Sequence, residues 1–174
     1  MKKYLTSIVL LIPSLVNAGS GLVELHSPIK AVYQGKEAIV SFLASEDASS
    51  GNVYTISLPS RKSDNISIPS LAKGKIISVF FYETKETDAK ENGRSMFVLN
   101  QETVDNEFQV GSIYSAARFS LLPQPSGLMV QFFESDNQDY RFLNCFDGIY
   151  KDNKKHSSCE YKDANSIKKA LDKK

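Results

Sequence analysis

The stretch Ile76-Ile77-Ser78-Val79-Phe80-Phe81-Tyr82 is the most apolar part of the chain after its first eighteen residues. β-branched and aromatic side chains dominate it, and they favour an extended backbone packed on a pleated surface. We therefore predict a central β-strand here. Residues 95–99 repeat the pattern beyond the charged segment 83–94, whose Asn92-Gly93 pair is typical of a tight turn. The two runs together predict a long hairpin.

Similar short runs flank this hairpin in both directions. Residues 53–58 alternate apolar and polar side chains, as expected of a strand with one buried face. Turn-forming residues separate the runs, which recur about every 8–12 residues. The pattern predicts an all-β domain, a mainly antiparallel sandwich or barrel. The other runs are residues 21–26, 38–43, 65–68, 108–110, 128–133 and 140–145.

Two of these runs predict a second hairpin. Residues 128–133 and 140–145 flank a polar connection of the length that joins antiparallel strands. The preceding residues 113–122 fit either a helical turn or a strand. We expect Pro123 and Pro125 to end that segment in both cases, because proline lacks a backbone donor.

The C-terminal segment predicts a short helix. Asp163 or Asn165 can cap a helix over residues 166–173. Ile167 and Leu171, four residues apart, would form its only apolar stripe. We assign residues 163–174 to this helix and a lysine-rich tail. Residues 19–162 are assigned to a single β domain.

The first eighteen residues predict export. Lys2 and Lys3 precede an apolar run, and Val16-Asn17-Ala18 fits a signal-peptidase site. The run is far shorter than the roughly 20 residues that a membrane-spanning helix needs, so residues 1–18 predict a cleavable signal peptide. No later segment approaches that length, and the near-neutral mature chain has no general attraction for nucleic acid. We expect a periplasmic location, with release from the cell as the alternative.

Cys145 and Cys159 are the two cysteines of the chain. An even number in an oxidising compartment predicts a disulfide, which would stabilise a polar loop that buries little by itself. A metal site formed by both thiolates with His156 is the alternative, but its spacing matches no standard zinc pattern. We expect neither a metal nor another cofactor.

Few residues are candidates for catalysis. His26 and His156 are the two histidines, and no Gly-x-Ser-x-Gly sequence indicates a nucleophilic serine. Glu134, Asp136 and Asp139 could supply a carboxylate pair of the kind that cleaves glycosidic bonds. Their position in a predicted turn favours solvated side chains instead. We expect no catalytic residue and a protein that is not an enzyme.

Adjacent aromatic residues indicate possible contact surfaces. Neighbours in a strand point to opposite faces, so Phe80-Phe81 and Phe132-Phe133 place rings on both sides of their strands. One ring of each pair enters the core, and a helix, a loop, a ligand or a partner must cover the other. A strand buried on both faces of its sheet is the alternative. Phe81, Tyr82 and Phe133 are therefore candidate partner contacts.

Charge is unevenly distributed along the chain. Acidic residues prevail in segment 83–107, and lysines prevail in segment 151–174. Either the two regions meet partners of opposite charge, or they are solvated surface. Lys154, Lys155 and His156, in the loop between the cysteines, are the candidate contacts of the basic region.

These features favour a non-enzymatic interaction protein of the bacterial envelope. An inhibitor, an immunity protein or an accessory factor of a surface or secretion system would fit. We expect its loops and a sheet edge to bind another envelope or secreted protein. Two alternatives stay open: a β-barrel carrier whose cavity the paired aromatics line, and an envelope hydrolase.

Overall fold

The computed structural model describes residues 22–45, 52–58, 61–69, 74–83, 94–125, 127–132 and 139–173. Most of the described residues belong to two antiparallel sheets, and one short helix follows the sheets in the chain. The prediction of an all-β antiparallel fold with a short C-terminal helix is therefore confirmed. The predicted signal peptide, Phe133, Glu134 and Asp136 lie outside the described residues.

The first sheet, sheet A, is a four-stranded meander in the order β1-β2-β3-β4. Gln34 and Gly35 join its first two strands with φ values of 48° and 72°. Positive φ at both central positions matches the twist of a two-residue hairpin, which explains the glycine. The pairing of β1 with β2 shifts register around Pro28, a residue that cannot donate to a ladder. The strands are β1 (Leu22–Tyr33), β2 (Lys36–Ser45), β3 (Asn52–Leu58) and β4 (Arg61–Pro69).

The second sheet, sheet B, has the order β10-β9-β7-β6-β5, and β8 also pairs with β7. The 16-residue strand β7 connects these parts. Its first half pairs with β9 and its second half with β8, while β6 lies along its other side. The strands are β5 (Lys75–Glu83), β6 (Arg94–Asp105), β7 (Gln109–Gln124), β8 (Gly127–Phe132), β9 (Cys145–Tyr150) and β10 (His156–Ser157).

The predicted second hairpin is wrong. Residues 140–142 form a 3-10 turn, and β8 pairs with β7. The Asp139 carboxylate explains the turn, because it accepts hydrogen bonds from both the backbone and the side chain of Arg141. The turn directs Phe142 into a buried position. The ambiguous segment 113–122 is a strand within β7. The expectation that Pro123 ends it is wrong, because β7 continues to Gln124 beyond its last pair with β6 at Leu121, where Pro123 still pairs with Leu128 of β8.

The prediction that residues 76–82 form a central strand is also wrong, because β5 lies at an edge of sheet B. Its apolar composition has another cause. Phe81 packs toward sheet A and Phe80 packs on the opposite face, so both faces of the strand are covered. Coverage of the faces, and not the number of neighbouring strands, explains the apolar run.

The main core lies between the two sheets. Phe42 and Val40 of β2 meet Met96, Val98 and Phe119 of sheet B, and all five side chains are buried. The alternation of β7 places Ala117, Phe119 and Leu121 on this side of sheet B. The two sheets therefore form a sandwich-like arrangement.

A smaller core lies on the opposite face of sheet B, which we call the helix side. Helix α1 (Ala164–Leu171) covers it with Ile167, which is fully buried, and Leu171. Asp163 caps the helix by accepting a hydrogen bond from the Ser166 amide. Of the two residues predicted as caps, Asp163 is therefore the one observed. Phe80, Phe97, Leu99, Ala116 and Phe142 form the buried floor. Within the described ranges, no helix has the length and apolarity to cross a membrane.

Candidate functional site

Sheet B extends beyond both of the layers that cover it. The core toward sheet A ends at Ala117 on β7, and the helix-side core ends near Tyr114. Among the described residues, 103–112 and 147–157 belong to neither core cluster. We call this projecting end, residues 103–112 and 147–157, the sheet-B tip. A surface that projects from a folded body is a geometry suited to contact with a partner.

Phe108 lies at the outer end of the tip and is 66% exposed. The turn beneath it is held by Asn106, whose Oδ1 accepts hydrogen bonds from the amides of Phe108 and Gln109, each at 2.9 Å. The Phe108 carbonyl accepts a hydrogen bond from the Lys151 amide at 2.8 Å. The Lys151 ammonium also binds Asp105 at 2.6 Å. An exposed aromatic ring therefore projects from a firmly bonded backbone.

A cross-strand row of side chains occupies the helix side of the tip. Asp105, Val110, Ile149 and His156 are direct partners on β6, β7, β9 and β10. Residues that oppose each other directly share a face, and Val110 shares the face of Tyr114 by alternation. Val110 is 38% exposed although it is apolar. This face therefore offers an apolar strip close to Phe108.

On the other face of the tip, Tyr150 and the adjoining residue Phe146 place two aromatic rings beside a pair of glycines. Gly111 and Gly148 are direct cross-strand partners. A Cβ at Gly148 would lie 2.3 Å from the Val110 carbonyl oxygen and 2.8 Å from Cζ of Phe146. The Phe146 ring thus covers Gly148 and contacts Tyr150, with ring centroids 4.9 Å apart. Apolar side chains are therefore present on both faces of the tip.

The β9–β10 turn places positive charge next to these apolar groups. Asn153 Oδ1 accepts from the Lys155 amide at 2.8 Å, and the Tyr150 amide donates to the Lys155 carbonyl at 2.9 Å. Lys154, with a φ of 56°, is exposed together with Lys155 and His156. Among the residues described, neither lysine is within ion-pair distance of a carboxylate. The predicted contacts Lys154, Lys155 and His156 thus lie together at the tip.

The cysteine pair closes the base of the same hairpin. Cys145 at the start of β9 and Cys159 beyond β10 lie at disulfide distance, with 5.4 Å between their Cα atoms. Lys162, three residues further, binds Asp147 of β9 at 2.6 Å. That hydrogen bond raises the pKa of Lys162 above its usual value. These links fix the segment that leads from the tip to α1.

The other predicted contacts are not at the tip. Phe81 packs against the main core, and the Arg94 guanidinium lies 4.7 Å from its ring centroid. Tyr82 packs against the helix-side core and donates a hydrogen bond to Asp172 at 2.9 Å. Both side chains contact this chain's own residues. The structure therefore places them apart from the lysines and His156.

The candidates for catalysis and metal binding are dispersed. His26 contacts Phe42 edge-on, with ring centroids 5.4 Å apart, whereas His156 lies at the tip. Asp139 binds Arg141 at 2.6 Å, and this contact raises the pKa of Arg141. Within the described ranges, no group of three or more His, Cys, Asp or Glu side chains is arranged to hold a metal ion.

The sequence interpretation missed Phe108 and Val110 as surface residues, since it assigned both to a weak strand. One feature of the sequence could have identified Phe108. It directly follows the polar turn formers Asp105-Asn106-Glu107, where an aromatic side chain has no neighbouring apolar run to join. Comparisons with known proteins add no further candidates: no family model matches the chain, and no curated protein or solved structure matches it significantly.

Proposed function

We propose that this protein is an exported, non-enzymatic interaction protein of the bacterial envelope that inserts the sheet-B tip into a cleft of another envelope or secreted protein. The observation that carries the proposal is Phe108, an aromatic side chain that is 66% exposed on a hydrogen-bonded turn. Inhibitors, immunity proteins and accessory factors of surface or secretion systems act through contacts of this kind.

Rigid support of Phe108 favours tight binding. Burial of a phenylalanine side chain contributes about 1.5–3 kcal/mol, and an anchor already held in place loses little conformational entropy on binding. Aromatic anchors of this type account for much of the affinity of protein interfaces. The turn around Asn106 meets that requirement, because the amides on both sides of Phe108, its own and that of Gln109, donate to one side chain.

The surface around Phe108 indicates what the partner offers. Val110 on one face and Tyr150 on the other would contact the two walls of an apolar cleft. Lys154 and Lys155 supply positive charge at its rim, while the charge of Lys151 is offset by Asp105. We therefore propose a protein cleft with apolar walls and an acidic rim.

The cysteine pair supports a location outside the cytoplasm. Disulfides persist in the periplasm and in secreted proteins and are rare in reducing compartments. The distance between Cys145 and Cys159 is compatible with such a bond. The periplasm, reached by cleavage of residues 1–18, is the proposed site of action.

A capture experiment with a matched control tests this function. The exported full-length protein, as wild type, Phe108→Ala and Tyr140→Ala, is cross-linked in periplasmic extract and the bound proteins are identified. Tyr140 is also 66% exposed but lies in the 3-10 turn before β9, so it controls for loss of an exposed ring. We expect Phe108→Ala to weaken capture of one specific protein at least tenfold, and Tyr140→Ala to retain it.

Other outcomes contradict the proposal. If Phe108→Ala captured the same protein as strongly as the wild type does, the tip would not be the binding surface. A small molecule retained in native mass spectrometry without any protein partner would support the carrier alternative. Phe108-dependent binding to anionic lipid vesicles, in the absence of protein, would replace the protein partner by a membrane surface.

A further inference from the structure

We propose that the Cys145–Cys159 disulfide is a redox-sensitive latch for α1, opened by attack of a dithiol oxidoreductase at Cys145. The bond connects strand β9 with the segment that leads into the helix. Its chemistry, its position and the contacts it maintains each support this assignment. It does not depend on Phe108, so it can hold or fail independently of the docking tip.

Accessibility selects the sulfur that is attacked. Cys159 is only 2% exposed, whereas Cys145 is half-buried and lies on the more accessible side of the bond. Thiol–disulfide exchange requires an incoming thiolate to reach one sulfur in line with the bond it breaks. The thiolate therefore attacks Sγ of Cys145, and Sγ of Cys159 is the leaving group.

The surroundings of Cys159 stabilise the charge that this attack produces. The backbone amide of Tyr161 donates a hydrogen bond to Sγ of Cys159 at 3.3 Å. A donor directed at a sulfur stabilises the negative charge that develops on the departing thiolate, which accelerates departure. The same contact would have little effect if Cys145 were the leaving group.

The reaction balances with one dithiol. The first thiolate forms a sulfur–sulfur bond to Cys145 and expels the Cys159 thiolate, which takes up a proton. The second thiol of the reductant then loses its proton, attacks its own partner sulfur and releases the Cys145 thiolate, which takes up that proton. The products are two protein thiols and an oxidised reductant, so two electrons pass to the protein.

Several non-covalent contacts also hold α1 in place. The helix has eight residues, a length at which an isolated helix is marginal in water. Ile167 is buried with Leu171 packed beside it, Tyr82 donates a hydrogen bond to Asp172, and Lys168 lies above the Phe80 ring at 5.4 Å. Just before the helix, Lys162 binds Asp147 and the Tyr161 ring contacts Phe142. The preceding strand β10 pairs with β9 at two positions only. The disulfide is the covalent link that holds this segment against these contacts, so opening it loosens α1.

Release of α1 would expose a defined apolar surface. Phe80, Phe97 and Leu99 lie beneath the helix and are buried in the structure. A contiguous apolar patch that becomes exposed on demand is a change that a chaperone or a partner can detect. Reduction of the disulfide thus leads to exposure of an apolar patch that α1 otherwise covers.

A trapping experiment tests the direction of attack. The folded full-length protein is mixed with a Cys-x-x-Cys oxidoreductase whose second cysteine is replaced by serine, so that the mixed disulfide persists. Cleavage after Lys151, Lys154 and Lys155 separates the two cysteines for mass spectrometry. We expect the adduct on Cys145. An adduct on Cys159, or none on the folded protein, would overturn the proposal.

A pair of variants tests the leaving group. Tyr161→Pro removes the amide donor and the ring, whereas Tyr161→Ala removes the ring alone. Loss of the donor leaves the departing thiolate less stabilised, so dithiothreitol should reduce Tyr161→Pro about threefold more slowly than Tyr161→Ala. Equal rates in the two variants would remove the assigned role of the Tyr161 amide.

Amide hydrogen exchange tests the consequence for the helix. After reduction with dithiothreitol, the protection of the α1 amides should fall at least tenfold more than that of the amides of β6 and β7, which open only with the whole fold. This result needs no substitution. Unchanged protection of α1, or an equal increase throughout the chain, would each show that the bond is not a latch for the helix.

Discussion

Gly148 and Gly111 show how single residues shape the tip. They face each other across β7 and β9, at a point where the two backbones leave no room for a Cβ. At Gly148 the obstruction is the Val110 carbonyl together with the ring of Phe146. The ring restores on one side the apolar cover that a glycine lacks, so these residues form one packed unit.

Replacement of Gly148 by alanine should destabilise the protein by about 2 kcal/mol, because the new methyl group overpacks the strand pair. Urea denaturation followed by circular dichroism measures the change. Gly35→Asn is the matched control. Its position has a φ of 72° with nothing within 4 Å, and asparagine tolerates that conformation, so its effect should be small. Equal stability of Gly148→Ala and the wild type would contradict the close packing.

Some single residues could be interpreted from the sequence. Asp163 was one of two candidate caps, because an acid before an apolar stripe is a common helix start. Asp139 was assigned to a solvated turn, yet its two oxygens bind Arg141 and organise the 3-10 turn. A side chain that takes hydrogen bonds locally competes with the strand ladder, and alternation of apolar residues does not reveal this competition.

At the scale of an element, the sequence predicted helix α1 but not the surface that it covers. Its spacing of Ile167 and Leu171 was visible in the sequence, and both side chains face the helix-side core. The sequence could not predict what covers the second face of β5. A helix, a loop, a ligand or a partner would each be compatible with the adjacent aromatic residues. The structure selects the helix for Phe80.

The Ile167→Ala substitution should therefore destabilise the protein by about 2–4 kcal/mol, since it removes a fully buried side chain and leaves a cavity against Phe80 and Phe97. Thermal and urea denaturation measure this loss. Lys169→Ala, on the exposed side of the same helix, is the control and should change the stability little. Similar effects of the two substitutions would mean that the helix does not pack as described.

At the scale of the whole molecule, the disulfide connects the tip, the β9–β10 hairpin and α1. It joins cysteines 14 residues apart, so it removes conformational entropy from the unfolded chain. The core shared by the two sheets does not include the bond, which lies at the β9–β10 edge of sheet B. The molecule therefore has a sandwich core apart from the bond, and a C-terminal part attached by the bond together with the packing of α1.

Replacement of both cysteines by serine should lower the free energy of unfolding by about 3 kcal/mol, the loop-entropy value for a closed loop of this length. Calorimetry and urea denaturation measure the loss. The reduced wild type is the control and should match the double variant. A double variant as stable as the oxidised wild type would show that the bond does not constrain the unfolded chain.

By itself, the sequence determined the β class, the approximate ends of many strands, the short C-terminal helix and the pairing candidates Cys145 and Cys159. These features follow from local chemistry: alternation, turn residues, a cap and cysteine number. Only the tertiary structure decided the partner of β8, the edge position of β5, the cover above Phe80 and the projection of Phe108. Each of these depends on contacts between residues distant in the chain, and a local pattern of side chains is compatible with several such arrangements.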